Sequence, residues 1–377
     1  MNGSVATDRE STHMRRALDL AERGRGSVSP NPLVGAVVIA ASGEVLGEGF
    51  HAELGGRHAE VVALEDAAER GSDVAGSAMF VTLEPCAHQG RQPPCAEAIL
   101  ASGVSRVVIA SDDPTEKASG RGPGVLRDGG VEVEWSSGAD AAAARLLNQP
   151  FRKRARTGRP LVVLKSALTI DGRTATAEGD SKWISGDPAR ELVHRWRSDL
   201  DAVAVGIATV LADDALLTAR GVGAVRQPTR VVFDSSARLP HDGRLVRTAT
   251  EAPVIVIAGA AAPPPAVDAL TNAGVEVILC PGEGPERVRV ALDELGRRDI
   301  GSVLLEGGAT LAGAFRDAGE LDELRLFYAP LLLGGADARP LLGGIGSDRL
   351  REAERALAVE WEAVGEDMLA RVRIREW

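Results

Sequence analysis

Apolar and polar positions along the first half of the chain follow two alternating periods. Residues 34–40 form a short apolar run, and the turn Ala41-Ser42-Gly43 leads into a second run at 45–50, so this pattern predicts a β-hairpin. Over 58–69 the apolar residues recur at helical spacing, which predicts a helix that begins at His58. The same reasoning predicts strands at 78–83, 106–110 and 131–134, and helices at 94–101 and 139–147.

The second half repeats this alternation with shorter apolar runs. Strands are predicted at 161–167, 202–205, 230–233, 254–257, 275–279 and 302–305, and helices at 188–197, 266–273 and 285–295. Strands that alternate with helices form a mainly parallel sheet with helices on both faces. The fold class predicted for the whole chain is therefore α/β.

Two polar segments delimit the predicted domains. Residues 1–12 lack an apolar pattern and are predicted to be a disordered tail, which leaves 13–150 as the first domain. The basic run over 151–160 could be a nucleic-acid arm, but a solvated linker explains it more simply. The second domain is then expected over 161–377.

Composition excludes several classes of protein. A chain of 377 residues is long for one core and favours two domains, and its net charge of −11 argues against a polyanionic partner such as tRNA or DNA. No run reaches the roughly 18–20 apolar residues that span a bilayer, and the N-terminus lacks the apolar core of a signal peptide, so we expect a cytoplasmic protein without a membrane partner. Three cysteines make a disulfide framework improbable, and Cys280 ends an apolar run as an expected core thiol.

Candidate chemistry is concentrated in one short stretch. His58, Cys86 and Cys95 are three side chains that bind zinc, and three protein ligands leave the fourth tetrahedral position open for water, as a catalytic zinc requires. Glu60 follows the histidine by two residues and would carry protons between the water and a departing amine. Together these residues predict a zinc hydrolytic deaminase with one zinc ion per chain.

Two observations leave room for other interpretations of this stretch. His88 is close enough in sequence to serve as a fourth ligand, which would make the zinc structural. Eight residues separate the cysteines, whereas the usual short signature has two. The intervening segment is polar and rich in turn formers, and we interpret it as a substrate loop beside the metal.

A glycine turn follows the predicted strand at 302–305. Glu306-Gly307-Gly308 leads into a predicted helix, and such a turn lets the backbone approach a phosphate closely. The pattern lacks the dinucleotide-binding fingerprint, so an ordinary tight turn remains an equal alternative. Trp183 is likewise either a core aromatic or a stacking platform for a ligand.

Motifs across both halves match one known family in the same order. They are PNPLVG at 30–35, GEGFH at 47–51, HAE at 58–60, TLEPCAH at 82–88, LKSA at 164–167, IDG at 170–172, SKWI at 181–184, GIATVLADD at 206–214 and LEGG at 305–308. With these motifs the chain resembles the bifunctional deaminase–reductase family of riboflavin biosynthesis over almost its whole length. The eight-residue spacing between the cysteines is usual in that family.

The resemblance implies two folds and two successive reactions. The first domain would be a cytidine-deaminase-like three-layer domain that converts 2,5-diamino-6-ribosylamino-4(3H)-pyrimidinone 5′-phosphate to the pyrimidinedione and ammonia. The second would be a dihydrofolate-reductase-like domain that uses NADPH to reduce the ribosyl group to ribityl. The implied partners are a small phosphorylated pyrimidine and further copies of the chain, as a dimer or tetramer.

The resemblance also assigns roles to residues of this sequence. In the first domain the substrate would contact Asn31, His51, His88, Arg91 and Asp113. NADPH would lie against Ala167, Trp183, Thr209, Asp213, Ser235, Gly308, Ala309, Thr310, Leu311, Ala312, Gly313 and Ala314. The second substrate would contact Ser181, Arg197, Leu217, Arg220 and Glu306, with Lys165 and Asp213 as the candidate catalytic groups. Arg197 and Arg220 could pair with its phosphate in a fork geometry.

Three places depart from the family pattern, and one of them is Ser166-Ala167-Leu168, where Ala-Ser-Leu is commoner. Thr115 stands where the family usually has an asparagine, and Gln92 replaces a usual threonine. They leave open a related enzyme of secondary metabolism with a shifted substrate. A nucleic-acid base deaminase with an accessory domain, and a binding module without turnover, are the alternatives from other classes.

Overall fold

A computed structural model describes residues 2–89 and 93–377, with side chains from Glu10 onward. The chain divides into two compact units: one extends to Thr157 and includes Trp377, and the other comprises Gly158–Glu376. No helix among these described residues is long and apolar enough to cross a bilayer.

The first unit is built on a five-stranded sheet with the order β2-β1-β3-β4-β5. Its strands are β1 Gly35–Ile39, β2 Val45–Phe50, β3 Ala78–Val81, β4 Arg106–Ile109 and β5 Glu132–Trp135. β1 pairs antiparallel with β2 and β3, while β3, β4 and β5 run parallel. The predicted hairpin is therefore present, and the strands predicted after it lie in one sheet.

Helices cover both faces of this sheet. They are α1 Asn2–Glu22, α2 Ala59–Glu69, α3 Cys95–Ser102, α4 Arg121–Asp128, α5 Gly138–Leu147 and α6 Gln149–Thr157. Ala36 and Val38 of β1 belong to one core with residues of α2 and α3, whereas Val37 and Ile39 belong to a second core with residues of α1 and α5. Because successive strand residues point to opposite faces, β1 is buried on both, and the predicted three-layer fold is confirmed.

The two polar segments are helical in the structure, which differs from the expected tail and linker. α1 occupies the segment expected as a tail because Met14, Ala17 and Leu20 form an apolar stripe that is buried against the sheet. α6 continues through the basic run as far as Thr157, and Arg152 is buried where its guanidinium pairs with the carboxylate of Asp112.

The second unit contains a nine-stranded sheet with the order β11-β10-β9-β8-β12-β6-β13-β16-β15. Its strands are β6 Leu161–Thr169, β8 Ala202–Gly206, β9 Thr229–Phe233, β10 Val254–Gly259, β11 Glu276–Cys280, β12 Ser302–Leu305, β13 Glu323–Ala329, β15 Ala358–Val364 and β16 Asp367–Arg373. The short strands β7 Arg173–Ala175 and β14 Arg339–Pro340 form a separate ribbon. From β11 to β13 the strands are parallel, and β16 and β15 add an antiparallel edge, so the predicted mainly parallel sheet is confirmed.

Helices connect the parallel strands of this sheet. They are α7 Asp187–Asp199, α8 Ile207–Asp213, α9 Arg244–Arg247, α10 Pro264–Asn272, α11 Gly284–Arg297 and α12 Ala309–Asp317. α11 and α12 contribute Leu292 and Phe315 to a core that also contains Cys280, the buried thiol expected there. The strand order reverses between β8 and β12, and in parallel α/β sheets ligands bind at the carboxyl ends of strands beside such a reversal.

Candidate active site in each unit

Two glycines of β2 fix the position of helix α2. A Cβ atom at Gly47 would lie 2.2 Å from the carbonyl oxygen of Ala63, and one at Gly49 would lie 2.4 Å from that of Ala59. Only glycine permits this approach, so α2 packs directly on the strand. His58 is the N-cap residue of α2, and Glu60, 3% exposed, lies in its first turn.

Cys86 and Cys95 approach His58 from a loop and a second helix start. Cys86 lies in the loop that follows β3, and Cys95 is the first residue of α3. The backbone N–H of Cys95 donates to Cys86 Sγ over 3.3 Å, and Ala96 N–H donates to the carbonyl oxygen of Cys86 over 3.1 Å. These two bonds hold the loop against the helix, so the thiols face the same point.

The donor atoms of these three residues form a candidate metal site. His58 Nδ1 lies 3.1 Å from Cys95 Sγ and 3.6 Å from Cys86 Sγ, and the three donor atoms lie within 4.8 Å of one another. An imidazole and two thiolates are a donor set that zinc favours. Among residues 2–89 and 93–377, His88 is not part of this group. The residues present therefore fit zinc with three protein ligands rather than four.

Electrostatics in this site suit a cation and a proton carrier. The Cys95 thiol, the His58 ring and a backbone N–H donate to the Cys86 sulfur, and together they lower the pKa of Cys86 to about 4. Burial raises the pKa of Glu60 to about 6, even though the neighbouring His58 favours the charged carboxylate. A thiolate is the form that binds metal, and a carboxyl group with a pKa near neutrality can both accept and donate a proton.

His51, which is hydrogen-bonded to Asn31, lies beside the metal ligand His58. The rings of His51 and His58 meet edge to face with centroids 5.6 Å apart. Since His51 Nδ1 lies 3.0 Å from the carbonyl oxygen of Arg57, it donates there, and its Nε2 accepts from Asn31 Nδ2 over 3.2 Å. Burial lowers the pKa of His51, which favours this neutral form of the ring.

The structure describes only some of the other substrate residues predicted for the first unit. Arg91 and Gln92 lie outside the described residues, while His88 Nδ1 is buried without a partner among the described atoms. The Asp113 carboxylate accepts a hydrogen bond from the N–H of Thr115 over 2.8 Å, so one of its two oxygens is already bonded within its own turn. Glu84, which sequence reasoning did not single out, accepts the N–H of Gly120 over 2.7 Å and anchors the same loop.

The second unit contains a cavity of about 1140 Å³ at the carboxyl ends of its parallel strands. The segments after β6, β8, β9 and β12 and the first turn of α12 all contribute to its lining. N–H groups in the first turn of a helix have no intrahelical partner, so α12 can offer them to an anionic ligand. The size and the glycine turn at Gly307-Gly308 suit a dinucleotide such as NADPH.

Most residues predicted for this site line the cavity. They are Lys165, Ala167, Ser181, Trp183, Arg197, Thr209, Asp213, Leu217, Arg220, Ser235, Glu306, Gly308, Ala309, Thr310, Leu311 and Ala314. Ala312 and Gly313 do not. Ala312 faces the core, and a Cβ at Gly313 would lie 2.3 Å from the carbonyl oxygen of Gly343, because α12 turns these positions away from the ligand face.

Arg197, which was predicted to pair with a phosphate, forms a buried ion pair. It donates through Nε and Nη2 to the two carboxylate oxygens of Glu306 over 2.7 and 2.8 Å, and its Nη1 donates to the carbonyl oxygen of Thr218 over 3.2 Å. The face of the guanidinium that would grip a phosphate thus holds a carboxylate here, and the phosphate fork stays a prediction. Burial chiefly lowers the pKa of the adjacent Lys165.

Arg220 remains available for an anion. Its side chain contacts Thr218 Oγ1 over 3.1 Å and His194 over 3.4 Å, but no carboxylate lies within ion-pair distance among the described residues. Burial first, and then the charges of Arg197 and Arg244, lower the pKa of Arg220. This uncompensated positive charge is where a phosphate would bind most favourably.

Sequence reasoning missed two contacts at the mouth of this cavity. Lys182 Nζ forms a 2.6 Å ion pair with the carboxylate of Asp213, and the guanidinium of Arg190 stacks over the Trp183 ring with 4.7 Å to the centroid. Trp183 is 69% exposed and lines the cavity, so it is placed as a stacking platform rather than a core aromatic. The SKWI motif contained this signal, but nothing in the sequence paired Lys182 with Asp213.

Comparisons with known proteins agree with both sites. The family model of the cytidine and deoxycytidylate deaminase zinc-binding region matches residues 7–111, and that of the RibD C-terminal domain matches residues 160–370. The riboflavin biosynthesis protein RibD of Escherichia coli is 40% identical over 369 residues, which cover 94% of this chain and 97% of the relative. The chain belongs to the RibD family. RibD of Actinobacillus pleuropneumoniae is 39% identical over 370 residues, which cover 98% and 96%.

Solved structures of RibD proteins share the fold of the whole chain. RibD of Acinetobacter baumannii has a TM-score of 0.85 at 36% identity and covers 98% of this chain and 99% of its own. The deaminase/reductase of Thermotoga maritima has a TM-score of 0.84 at 36% identity, with the same coverage. The protein is thus a bifunctional enzyme of riboflavin biosynthesis, with a zinc-dependent deaminase unit and an NADPH-dependent reductase unit that act on a small pyrimidine.

Proposed function

We propose that the first unit deaminates 2,5-diamino-6-ribosylamino-4(3H)-pyrimidinone 5′-phosphate, and that the second reduces the ribosyl side chain of the product to ribityl. The Thermotoga maritima relative is described as a diaminohydroxyphosphoribosylaminopyrimidine deaminase and 5-amino-6-(5-phosphoribosylamino)uracil reductase. The observation that carries the proposal is the meeting of three zinc donors with the buried carboxylate of Glu60.

In the deaminase unit His58, Cys86 and Cys95 would hold the zinc ion. Bound zinc lowers the pKa of a water molecule from about 15.7 to about 7, and so supplies a nucleophile at neutral pH. Glu60 would accept a proton from the attacking water and pass it to the ring nitrogen. It would then accept the remaining proton of the added hydroxyl and pass it to the amine, so that the carbon–nitrogen bond breaks, a carbonyl forms and ammonia leaves.

Pyrimidine binding follows from the polar groups beside Glu60. The neutral ring of His51 is fixed by Arg57 and Asn31, so it offers no charge to compete with the metal ligands. Asn31 retains a carboxamide oxygen and one N–H for the heterocycle. His88, Arg91 and Asp113 complete the proposed substrate contacts by their correspondence to the family motif.

In the reductase unit the cavity would hold NADPH against the first turn of α12. NADPH would supply a hydride to C1′ of the ribosyl group, and the bond from C1′ to the ring oxygen would break. Lys165 would donate the proton that this oxygen takes up, a role supported by its position in the cavity lining and by burial, which lowers its pKa. Arg220 binds the phosphate, while Arg197 positions Glu306.

We also propose a cytoplasmic homo-oligomer. Metal binding requires reduced cysteines, and a reducing compartment maintains them. The edge strand β15 exposes Val359 and Trp361, and its neighbour β16 exposes Met368. An apolar face at a sheet edge is typical of an interface between subunits, and light scattering of the purified chain would show a dimer or larger.

Ammonia release and NADPH oxidation by the purified chain test the proposed reactions. Ammonia should form from the diaminopyrimidine phosphate without NADPH, stop after chelation, and resume when zinc is restored. NADPH should be oxidised only after deamination. Absence of ammonia from the zinc-loaded chain would refute the proposed first substrate.

A further inference from the structure

Arg287 lines the reductase cavity at the carboxyl ends of β9, β10 and β11. Its Nη1 donates to Ser235 Oγ just beyond β9, and its Nη2 donates to the carbonyl oxygen of Gly282 just beyond β11 over 2.5 Å.

A glycine of β10 makes room for this guanidinium. A Cβ atom at Gly259 would lie 3.0 Å from Arg287 Nη2 and 3.1 Å from the carbonyl oxygen of Ser235. A side chain there would crowd the guanidinium, which would have to shift by a few tenths of an ångström. The position of Arg287 is therefore determined by three neighbouring strands.

The charge of Arg287 is not neutralised within the protein. Arg297, the last residue of helix α11, and Arg298, which caps it, form ion pairs with Glu294, but Arg287 forms none within 4.0 Å among the described residues. Each Nη atom carries two N–H groups, so one remains on each after the bonds to Ser235 and Gly282. The Ser235 hydroxyl accepts from Arg287 and keeps its own hydrogen for an acceptor. This pair offers three donors and a positive charge to one anion.

The distance from α12 indicates which anion this is. In the order β9-β8-β12, strand β9 lies two inter-strand spacings from β12, or about 10 Å, and β10 lies about 14 Å away. If the cofactor pyrophosphate binds at the start of α12, its adenosine half extends along the strand ends towards β9 and β10. The 2′-phosphate is the group that distinguishes NADPH from NADH.

We propose that Arg287 and Ser235 bind the adenosine 2′-phosphate and so set the preference for NADPH over NADH. The inference rests on the proposed cofactor site in this cavity. Arg287 matches a phosphate because its planar fork forms paired hydrogen bonds with two of the phosphate oxygens.

Calorimetric titration of the full chain with 2′,5′-ADP and with 5′-AMP tests the pair without turnover. Arg287→Gln should weaken 2′,5′-ADP binding by about 10- to 100-fold and change 5′-AMP binding by less than about twofold. Arg287→Lys should recover part of the loss, because it restores charge but not the fork. Ser235→Ala should show a smaller loss with the same selectivity.

Arg297→Gln, at the opposite end of α11 and outside the cavity, is the matched control and should bind both nucleotides like the wild type. The inference is overturned if Arg287→Gln keeps the preference for 2′,5′-ADP, or if it loses both ligands equally. Wild-type chain that binds neither nucleotide would instead refute the cofactor site. Unchanged 5′-AMP binding establishes that the reductase unit of each variant is folded.

Discussion

The metal site of the first unit and the cavity of the second are built in opposite ways. All described ligands of the metal site come from 38 residues of chain, between His58 and Cys95, and their donor atoms lie within 4.8 Å of one another. The cavity draws on residues from Lys165 to Pro340 and encloses about 1140 Å³. One site concentrates its chemistry in a few atoms, and the other distributes binding over many strand ends.

This difference predicts how each site responds to substitution. A hydrolytic site that depends on three ligands and one proton carrier should lose its reaction when a single atom changes. A site that orients two ligands should lose affinity or stability by steps, because its contacts come from many segments. The same chain thus provides an internal comparison, since each reaction can be measured while the other serves as a control.

Loss of a metal ligand should have the largest effect. Cys86→Ala should remove one mole of zinc per chain, as measured by elemental analysis, and abolish ammonia release. Cys280→Ala is the matched control, because Cys280 is a buried free thiol in the other unit. It should retain full zinc content. Normal zinc content in Cys86→Ala would show that the metal binds elsewhere.

Removal of the proton carrier should come next. Glu60→Gln keeps the size of the side chain but cannot carry a proton, so ammonia release should fall about 10²- to 10⁴-fold while zinc content and NADPH oxidation with pre-deaminated substrate are unchanged. Glu69→Gln, exposed at the end of the same helix, should behave like the wild type. Deamination by Glu60→Gln at a near-normal rate would contradict the assigned role.

Disruption of the buried ion pair should affect the reductase unit alone. Arg197→Met leaves Glu306 buried without its partner, so we expect a loss of about 3–5 kcal/mol of unfolding free energy. Arg195→Met breaks an exposed pair on the same helix and should cost at most about 1 kcal/mol. Urea denaturation followed by tryptophan fluorescence measures both. Equal losses of unfolding free energy in the two variants would show that the ion pair between Arg197 and Glu306 does not stabilise the reductase unit more than an exposed pair does.

The smallest expected effect concerns pH. Burial, reinforced by Arg197 and Arg220, lowers the pKa of His194 in the folded protein. Below the unfolded value of about 6.5, the unfolded chain therefore binds a proton more readily, and the unfolding free energy decreases as the pH falls from 7 towards 5.

His194→Gln removes this contribution, so its melting temperature should fall less than that of the wild type over the same range, by about 2–4 °C at most. His241→Gln, which changes an exposed histidine, is the control. If the melting temperatures of the wild type and His194→Gln fell equally between pH 7 and pH 5, the pH effect would not come from His194.

The sequence predicted the deaminase site more completely than the reductase site, for a physical reason. His58, Glu60, Cys86 and Cys95 are chemically unusual and adjacent to predictable helix starts, so their spacing alone indicated the metal. The contacts of Arg197 and Lys182 depend on tertiary structure: Glu306 is 109 residues from Arg197, and no local pattern reveals that pair. The phosphate fork expected for Arg197 stays a prediction, and the sequence could not show that Glu306 is its partner in this structure.

Strand prediction was limited in the same manner. The parallel strands β8, β10 and β12 are continuous apolar runs, typical of strands buried on both faces, and were predicted. The edge strand β15 is largely exposed and contains Glu360 and Glu362, so it has no such signature and was missed. Helix α1 lies where a tail was expected, because its polar residues concealed a narrow apolar stripe.

Mass analysis of the product tests the central claim that two sites on one chain act in succession. The diaminopyrimidine phosphate is incubated with the zinc-loaded chain, with and without NADPH. Deamination alone should raise the mass by about one unit without NADPH, and reduction should add about two more with it. A substrate that is unchanged without NADPH, or reduced before it is deaminated, would contradict the account.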